Sequence, residues 1–299
     1  MTDPILRVAT IQTAPAWSNI EANMVSLDRW SREAAGRGAD LVVFPEAFLQ
    51  GLVYHDQDSA AREAIALTAP ELDEIERLAA ELNLGIVVGF LERNGASGYS
   101  NSALTALPDG TRRVYRKTHL TELGADRWAV PGDKLGEVFE YRGARCAVLI
   151  CYDVRFPEVS RVLALRGADL LLLPTNSPVG YEGTYDHAAR TRAWENRVWF
   201  LVANRVGVEG DATFIGRSLS VDPLGNTVHQ LAGGEHAMLI TDVDPARARS
   251  KALPGHAGAI YSFMRARRPA LYGELATQRQ DPGPTDPTLL PIVDDAKVG

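Results

Sequence analysis

The chain alternates between short apolar runs rich in branched residues and longer segments with helical periodicity. In the longer segments, apolar residues recur every three or four positions, as they do on the buried face of a helix. The short runs are typical of buried strands. This alternation favours an α/β protein in which strands are layered with helices, over an all-helical or an all-strand fold.

The predicted strands cover residues 7–13, 40–44, 85–91, 102–107, 112–115, 145–151, 169–174, 199–204, 218–221 and 237–243. The predicted helices cover residues 19–37, 70–83, 156–166 and 187–197. Turn-forming sequences at 108–110 and 222–226 each lie between two strand-like segments and predict hairpins. Hairpins require antiparallel pairing, so we expect mixed sheets.

An internal repeat constrains the architecture further. The sequence Arg-Gly-Ala-Asp-Leu at 37–41, followed by three apolar residues and Pro45, recurs 129 residues later at 166–170, before Pro174. Two similar halves would form a four-layer α-β-β-α sandwich of two mixed sheets with a pseudo-twofold repeat. The alternative is a chance similarity between the starts of buried strands.

The repeat also places chemically active residues near one another. It puts Glu46 just past one strand and Thr175 just past its counterpart, and it puts Cys151 at the end of the strand 145–151. Ligands in layered folds gather at strand ends. We therefore expect Glu46 and Cys151 to be neighbours.

Composition limits the partners and the compartment. The net charge of -7 and the pI near 5.5 argue against nucleic acid or an anionic membrane as a partner. No apolar run is long enough to span a membrane, and the N-terminal residues do not resemble a signal peptide, so we expect a cytoplasmic protein. The two cysteines, Cys146 and Cys151, lie five residues apart on one predicted strand and face opposite sides, which makes a disulfide between them implausible.

One domain is expected over residues 1–270, because 299 residues can bury one large core. From residue 271 to 299 the prolines predict an extended tail. Its apolar stretch at 289–293 would then pack on the body of the protein or on a partner subunit.

Cys151 lies where a predicted strand turns abruptly into a helix, which leaves backbone N–H groups free beside its side chain. That setting suits a nucleophile, although on local evidence alone a cysteine at this position is more often part of the core. Glu46 follows a buried strand and a proline, where a desolvated carboxylate could act as a general base. Lys117 could stabilise an oxyanion, or it could be one of several solvated basic residues. His119 is a weak candidate for the base.

Three segments together resemble the signature sequences of the nitrilase superfamily of carbon–nitrogen hydrolases, over about residues 6–265. These segments are 44–46, 115–120 and 151–158, and they carry Glu46, Lys117 and Cys151 in the family's order. The resemblance implies a catalytic Glu-Lys-Cys set and a thioester intermediate, in which Lys117 and the Tyr152 N–H hold the oxyanion. It also implies that no metal or organic cofactor is needed.

The resemblance leaves the second carboxylate and the substrate open. Family members often carry a glutamate shortly after the lysine, where this chain has Asp126, with Glu122 nearby. Tyr152 and Asp153 after the cysteine resemble the amidase branches, so we expect a small aliphatic or omega-amide substrate. A nitrilase and an N-carbamoyl amide hydrolase are the alternatives, and Val154 breaks the carbamoyl pattern. Tyr54, Asp126, Tyr152 and Asn176 are the predicted substrate-binding residues.

Other classes fit less well. A serine hydrolase would need a Gly-x-Ser-x-Gly elbow, which is absent from the sequence. His187 and the other histidines lack the spacing of zinc ligands. A catalytically inactive binding module of the same family is a further alternative.

The family resemblance, together with apolar residues on more than one face of the helices 156–166 and 187–197, predicts a homodimer or a larger homo-oligomer.

Overall fold

The structure is a computed structural model that describes residues 4–95 and 98–277. Contacts divide the chain into two compact units, of which the first ends at Lys251 and the second begins at Ala252. In the second unit, Leu253–Pro254 pairs with Ile260–Tyr261, and short 3₁₀ turns follow up to Ala276. This division falls before the predicted domain boundary at residue 270. Most of the predicted tail, including 289–293, lies outside the described residues.

The helices of the first unit are α1 (Ile20–Gly36), α2 (Gln57–Glu63), α3 (Pro70–Leu82), α4 (Pro157–Leu165), α5 (Arg190–Asn196) and α6 (Ala246–Arg249). Its strands are β1 (Leu6–Gln12), β2 (Leu41–Val43), β3 (Gly85–Asn94), β4 (Gly98–Ala106), β5 (Arg112–Arg116), β6 (Phe139–Tyr141), β7 (Ala144–Val148), β8 (Leu170–Thr175), β9 (Trp199–Asn204), β10 (Val206–Glu209), β11 (Ala212–Ile215), β12 (Leu219–Val221), β13 (Thr227–Gln230) and β14 (Ala237–Val243). Within the described ranges, no helix is both long and apolar enough to cross a membrane.

Two six-stranded mixed sheets form the centre of the first unit. Their strand orders are β14-β1-β2-β3-β4-β5 and β13-β12-β9-β8-β7-β6. In each sheet, three parallel strands are flanked by antiparallel ones. The hairpins predicted at 108–110 and 222–226 join β4 to β5 and β12 to β13. The predicted α/β class with mixed sheets is confirmed.

The alternation of side chains along each strand creates the layers. Val8 and Val43 of the first sheet share one core with Cys146 and Leu172 of the second, so the two sheets pack face to face. The opposite face of the first sheet packs in a separate core with α1 and α3. Helix α5 contacts β9 of the second sheet and also contacts α4. The order of layers is therefore helix, sheet, sheet, helix.

The aspartate of the repeated Arg-Gly-Ala-Asp sequence makes matching hydrogen bonds in the two sheets. The N–H of Asp40 donates to the Arg7 carbonyl at 2.7 Å, and the Arg7 N–H donates to the Asp40 carboxylate at 2.8 Å. Asp169 and Arg145 make the same two bonds, at 2.7 and 3.2 Å. The aspartate thus sets the register at the start of β2 and of β8. A twofold relation between the two halves remains a prediction.

Two predicted boundaries need correction. The strand expected to reach Cys151 ends at Val148, because the Ile150 N–H donates to the Asp153 carboxylate at 2.9 Å and is thereby diverted from the sheet. The helix expected to begin at residue 187 begins instead as a π-helical segment at Thr184–Ala189. This segment runs directly into α5. The sequence interpretation also missed α2, α6, β6, β10 and β11 and gave no range for β13; all of these are too short to show a clear period.

Candidate active site

Glu46 lies just beyond the end of β2 and is fully buried. One carboxylate oxygen, Oε1, accepts from Lys117 Nζ and from Asn101 Nδ2, each at 2.7 Å. The other, Oε2, accepts from the Asn176 N–H at 3.0 Å. A side chain on Gly89 of β3 would approach the Glu46 Cα to 2.6 Å, so only glycine lets β3 pass this close. Burial raises the pKa of Glu46, and the ammonium of Lys117 opposes that rise.

Lys117 follows β5 and is buried with Glu46. Its ammonium donates to Glu46 and to Asp126, so it lies between two carboxylates. Burial disfavours the charged ammonium, but Asp126 and Glu46 outweigh it and raise the pKa of Lys117 well above its usual value. The lysine therefore stays protonated at neutral pH and is no solvated surface residue.

Asp126, rather than Glu122, is the second carboxylate beside the lysine. Its Oδ1 accepts from Asn101 Nδ2 at 2.7 Å, and its Oδ2 accepts from the Thr121 N–H at 3.2 Å. Asp126 is buried behind Lys117 and does not line the cavity, whereas Glu122 does. Asp126 was predicted to bind substrate, but its geometry is that of a residue that holds the ammonium.

Cys151 opens the 3₁₀ turn Cys151–Arg155, with a φ of 44°. This left-handed conformation is costly for a non-glycine residue and is often found at functional sites. The residue is half-buried. Burial raises the pKa of the Cys151 thiol to about 12, and the Glu46 carboxylate contributes to the rise. The ammonium of Lys117 opposes that rise.

The buried carboxylate of Asp153 holds this turn in place. It accepts from the Ile150 N–H at 2.9 Å and from the Tyr115 hydroxyl at 2.7 Å. It also accepts from the His119 N–H at 3.1 Å, and His119 Nδ1 lies 2.8 Å away. These bonds tie the cysteine turn to the loop that follows β5. His119 is therefore engaged with Asp153 and stacked on Phe156, rather than placed as a base for the thiol.

A cavity of about 560 Å³ opens onto these groups. Its lining includes Glu46, Lys117, Cys151, Tyr152, Asn176 and Arg155, together with the apolar or aromatic side chains of Leu52, Leu120, Leu123, Pro178, Tyr181 and Tyr185. Two of the predicted substrate-binding residues, Tyr152 and Asn176, thus face the cavity. Within the described ranges, no group of His, Cys, Asp or Glu side chains could hold a metal ion.

Tyr54 does not line the cavity, although it was predicted to bind substrate. Its hydroxyl donates to the Gln50 carbonyl at 2.9 Å, and its ring lies 5.5 Å from the ring of Trp17. The side chain is almost fully buried and supports the loop after Glu46 from behind. The closeness of Tyr54 to Glu46 in the sequence does not indicate which way its ring points.

A buried ion pair that the sequence interpretation missed supports the cavity wall. Arg205 and Glu209 are each 1% exposed, with 2.6 Å between Nη1 and Oε2. The other oxygen of Glu209 accepts from the N–H groups of Leu52 and Val53, at 2.7 and 2.6 Å. Because Leu52 lines the cavity, this pair fixes part of its wall. No local signal could have identified a contact across more than 150 residues.

Comparison with known proteins places this geometry in context. An (R)-stereoselective amidase from Pseudomonas sp. is 33% identical over 79% of this chain and 82% of its own length. An N-carbamoylputrescine amidase from Solanum tuberosum is 29% identical over 91% of this chain and 95% of its own. Among solved structures, an amidase variant from Nesterenkonia sp. superposes with a TM-score of 0.77 at 25% identity, covering 91% of this chain and 97% of that one. That variant carries the acetamide moiety of fluoroacetamide on its active-site cysteine.

The sequence profile of the carbon–nitrogen hydrolases matches residues 7–252, which include Glu46, Lys117 and Cys151. The two large mixed sheets and their covering helices match the amidase structures of the nitrilase superfamily. The chain therefore belongs to the carbon–nitrogen hydrolase family and is an amidase-like hydrolase of the nitrilase superfamily.

Proposed function

We propose that this protein hydrolyses a small aliphatic or omega-amide to a carboxylic acid and ammonia, through a thioester on Cys151. The observation that carries the proposal is the grouping of a half-buried cysteine with the buried Glu46–Lys117 pair on one cavity. A nucleophile, a proton acceptor and a cation for the oxyanion are the three groups that amide cleavage by a thiol requires.

In the first half-reaction, Glu46 takes the thiol proton of Cys151 while the sulfur attacks the amide carbon. Because the pKa of this thiol is about 12, the proton stays on the sulfur until an acceptor removes it. Lys117 and the Tyr152 N–H stabilise the oxygen of the tetrahedral intermediate. The carbon–nitrogen bond then breaks, Glu46 returns the proton to nitrogen, and ammonia leaves a thioester.

In the second half-reaction, Glu46 takes a proton from water, and the resulting hydroxide adds to the thioester carbon. The carbon–sulfur bond breaks, the acid is released and the proton returns to Cys151. The hydrogen bonds from Asn101 and the Asn176 N–H hold the carboxylate of Glu46 in one orientation for both steps. Asp126 keeps the ammonium of Lys117 charged and fixed throughout.

The cavity favours small or medium-sized acyl groups. Its wall combines apolar and aromatic side chains with charged and polar ones, and the guanidinium of Arg155 lies 5.3 Å from the Tyr152 ring and 5.0 Å from the Tyr181 ring. Hydrolysis of an N-carbamoyl amide is the second candidate, supported by the Solanum tuberosum relative. A nitrilase, or an inactive binding module, would lack the expected amide turnover.

A substrate screen tests this proposal. The purified protein would be assayed for ammonia release from short aliphatic amides, omega-amides, N-carbamoyl compounds and nitriles of matched acyl length. We expect turnover of the first two groups. Ammonia from nitriles alone would contradict the choice of an amide, and no turnover with any group would favour the binding module.

We also propose a homo-oligomer, at least a dimer, formed through α4 and α5. Leu165 and Trp194, on these helices, are each 46% exposed, although Val159 and Leu163 already supply the core-facing side of α4. A second copy of the same surface would bury the exposed side chains. Light scattering at micromolar concentration should give at least twice the mass of one chain, and Leu165→Arg should reduce it. A fully active monomer would contradict the proposal.

Two expectations from the sequence remain predictions. One is that the protein is cytoplasmic, and the other is that it works without a metal or an organic cofactor. Turnover measured after exhaustive treatment with a chelator would test the part of the second that concerns a metal.

A further inference from the structure

Four buried side chains form a closed ring of hydrogen bonds at the cavity. Lys117 Nζ donates to Glu46 and to Asp126. Asn101 Nδ2 donates to the same two carboxylates, at 2.7 Å each. All four residues are at most 1% exposed, and only Glu46 and Lys117 of the four line the cavity. The ring thus alternates two donors with two acceptors, and the sequence interpretation did not single out Asn101.

The backbone holds Asn101 beside the lysine. Asn101 lies on β4, and its carbonyl accepts from the Lys117 N–H at 2.8 Å, which continues the pairing of β4 with β5 by one residue. Its side-chain Oδ1 is buried and has no hydrogen-bond partner among the described residues. A buried carbonyl without a donor costs free energy, but the reverse orientation would press that oxygen against two carboxylates. The amide is therefore held with its nitrogen toward them.

Counting lone pairs distinguishes the two oxygens of Glu46. A carboxylate oxygen has about two sites that can accept a hydrogen. On Oε1 both sites are used, by Lys117 Nζ and by Asn101 Nδ2. On Oε2 the Asn176 N–H uses one site, at 3.0 Å, and the described residues leave the other open. The same counting leaves one of the three ammonium hydrogens of Lys117 for the cavity, because two are donated within the ring.

We propose that Asn101 is a positioning residue that occupies Oε1 of Glu46 and so makes Oε2 the oxygen that takes the proton of the Cys151 thiol. The inference rests on the proposed function, in which Glu46 is the general base. As the S–H bond breaks and the carbon–sulfur bond forms, the new O–H bond is then always on the same oxygen. Without Asn101, a proton would also settle on Oε1, inside the ring, and Lys117 alone would bridge the two carboxylates.

Loss of this donor has a definite sign on the pH profile. The hydrogen bond from Asn101 stabilises the charged form of Glu46, so its loss raises the pKa of this carboxyl further above the ordinary value. The basic form is then lost at a higher pH. The acid limb of the rate should therefore move to higher pH in a variant without the amide.

The titratable side chains that interact with the charge of Glu46 are Lys117, Asp126, Cys151, Tyr185 and Arg205. The lysine, the thiol and the phenol have raised pKa values and stay protonated through neutral pH. A guanidinium also keeps its charge. Because all five residues are the same in the wild type and in the variant, the difference between their acid limbs reports the lost amide.

The test compares Asn101→Leu, which keeps the shape of the side chain, with the wild type from pH 4.5 to 9. One readout is kcat and KM for an amide that the wild type hydrolyses. The other needs no turnover and is the rate at which iodoacetamide alkylates Cys151, with mass spectrometry to separate it from Cys146. Asn196→Leu is the matched control. Asn196 is also fully buried, its Oδ1 also lacks a partner among the described residues, and its Nδ2 donates to the Arg192 carbonyl at 3.0 Å, away from the cavity.

We expect Asn101→Leu to move the acid limb of both readouts up by about one pH unit and to lower kcat by about tenfold, the scale for losing a hydrogen bond to a charged group. KM should change little, because Asn101 does not line the cavity. Asn196→Leu should keep the wild-type limb. If Asn101→Leu fails to fold by circular dichroism, Asn101→Ala takes its place, because it removes the amide without adding an apolar group beside the carboxylates.

An unmoved acid limb in a folded Asn101 variant would overturn the inference, and so would an equal movement in Asn196→Leu. Either result in a protein that hydrolyses amides would leave the proposed function intact. A moved limb of alkylation in a protein that hydrolyses no amide would contradict the proposed function alone.

Discussion

The Cys151→Ala variant is expected to lose all detectable amide turnover while keeping the wild-type fold. In the proposed mechanism the sulfur attacks the amide carbon, and no other side chain lining the cavity is a thiol. The substitution removes one small side chain that is half-buried, so its effect on packing is limited. Ammonia release measures activity, and circular dichroism measures the fold.

Cys146→Ala is the matched control for this experiment. Cys146 lies in β7 and is fully buried in the core between the sheets, so the change should lower stability by about 1 kcal/mol and leave turnover near the wild-type rate. Activity of Cys151→Ala close to that of Cys146→Ala would refute a thioester mechanism, whatever the family of the chain.

Glu46→Gln and Lys117→Met should each lower the rate of amide hydrolysis by at least about a hundredfold. This is the scale for the loss of a general base or of an oxyanion donor. Gln keeps the size of Glu46 and can still accept the hydrogen bond from Asn101, but it cannot take a proton. Met keeps the length of Lys117 and removes its charge.

The pH profile gives Glu46 a second test. Burial raises its pKa, so the basic form of the carboxylate is lost as the pH falls through a value above the ordinary one. The acid limb of kcat/KM should therefore lie above pH 4.5 in the wild type and should be missing from any residual activity of Glu46→Gln.

Glu92→Gln is the control for these two variants, because Glu92 is another buried carboxylate in an ion pair, with Arg116, and does not line the cavity. This variant should be less stable than the wild type but should hydrolyse amides at about the wild-type rate. If Glu46→Gln or Lys117→Met were as active as Glu92→Gln, that residue would have a structural role only.

Much of the fold could be predicted from the sequence, because the pattern of apolar residues reflects burial directly. Segments such as 40–44 and 169–174 are continuous apolar runs after an initial aspartate, because the central strands are buried along their whole length. The predicted helix at 19–37 was close to α1, which begins after an Asn19 side chain that accepts from the Ala22 N–H at 3.0 Å. Segments of three or four residues such as β6 and β10 carry too little pattern to be found.

The choice of Glu46, Lys117 and Cys151 also came from the sequence, through three motifs whose order matches the family. The tertiary structure alone decided what surrounds them. It placed Asp126 rather than Glu122 against the lysine, turned Tyr54 away from the cavity and engaged His119 with Asp153. Each of these outcomes depends on the direction of one side chain in a loop, and no period in the sequence encodes that direction.

The physical reason is the sequence distance between the groups that meet. The Asn176 N–H reaches Glu46 across 130 residues, and Glu209 reaches Leu52 across 157. Such contacts form only when two sheets pack face to face and bring their strand ends together. The sequence by itself determined which segments are buried and which three residues stand in the family's motifs. The packing of the sheets decided which groups surround those three residues, hold their orientation and hydrogen-bond to them.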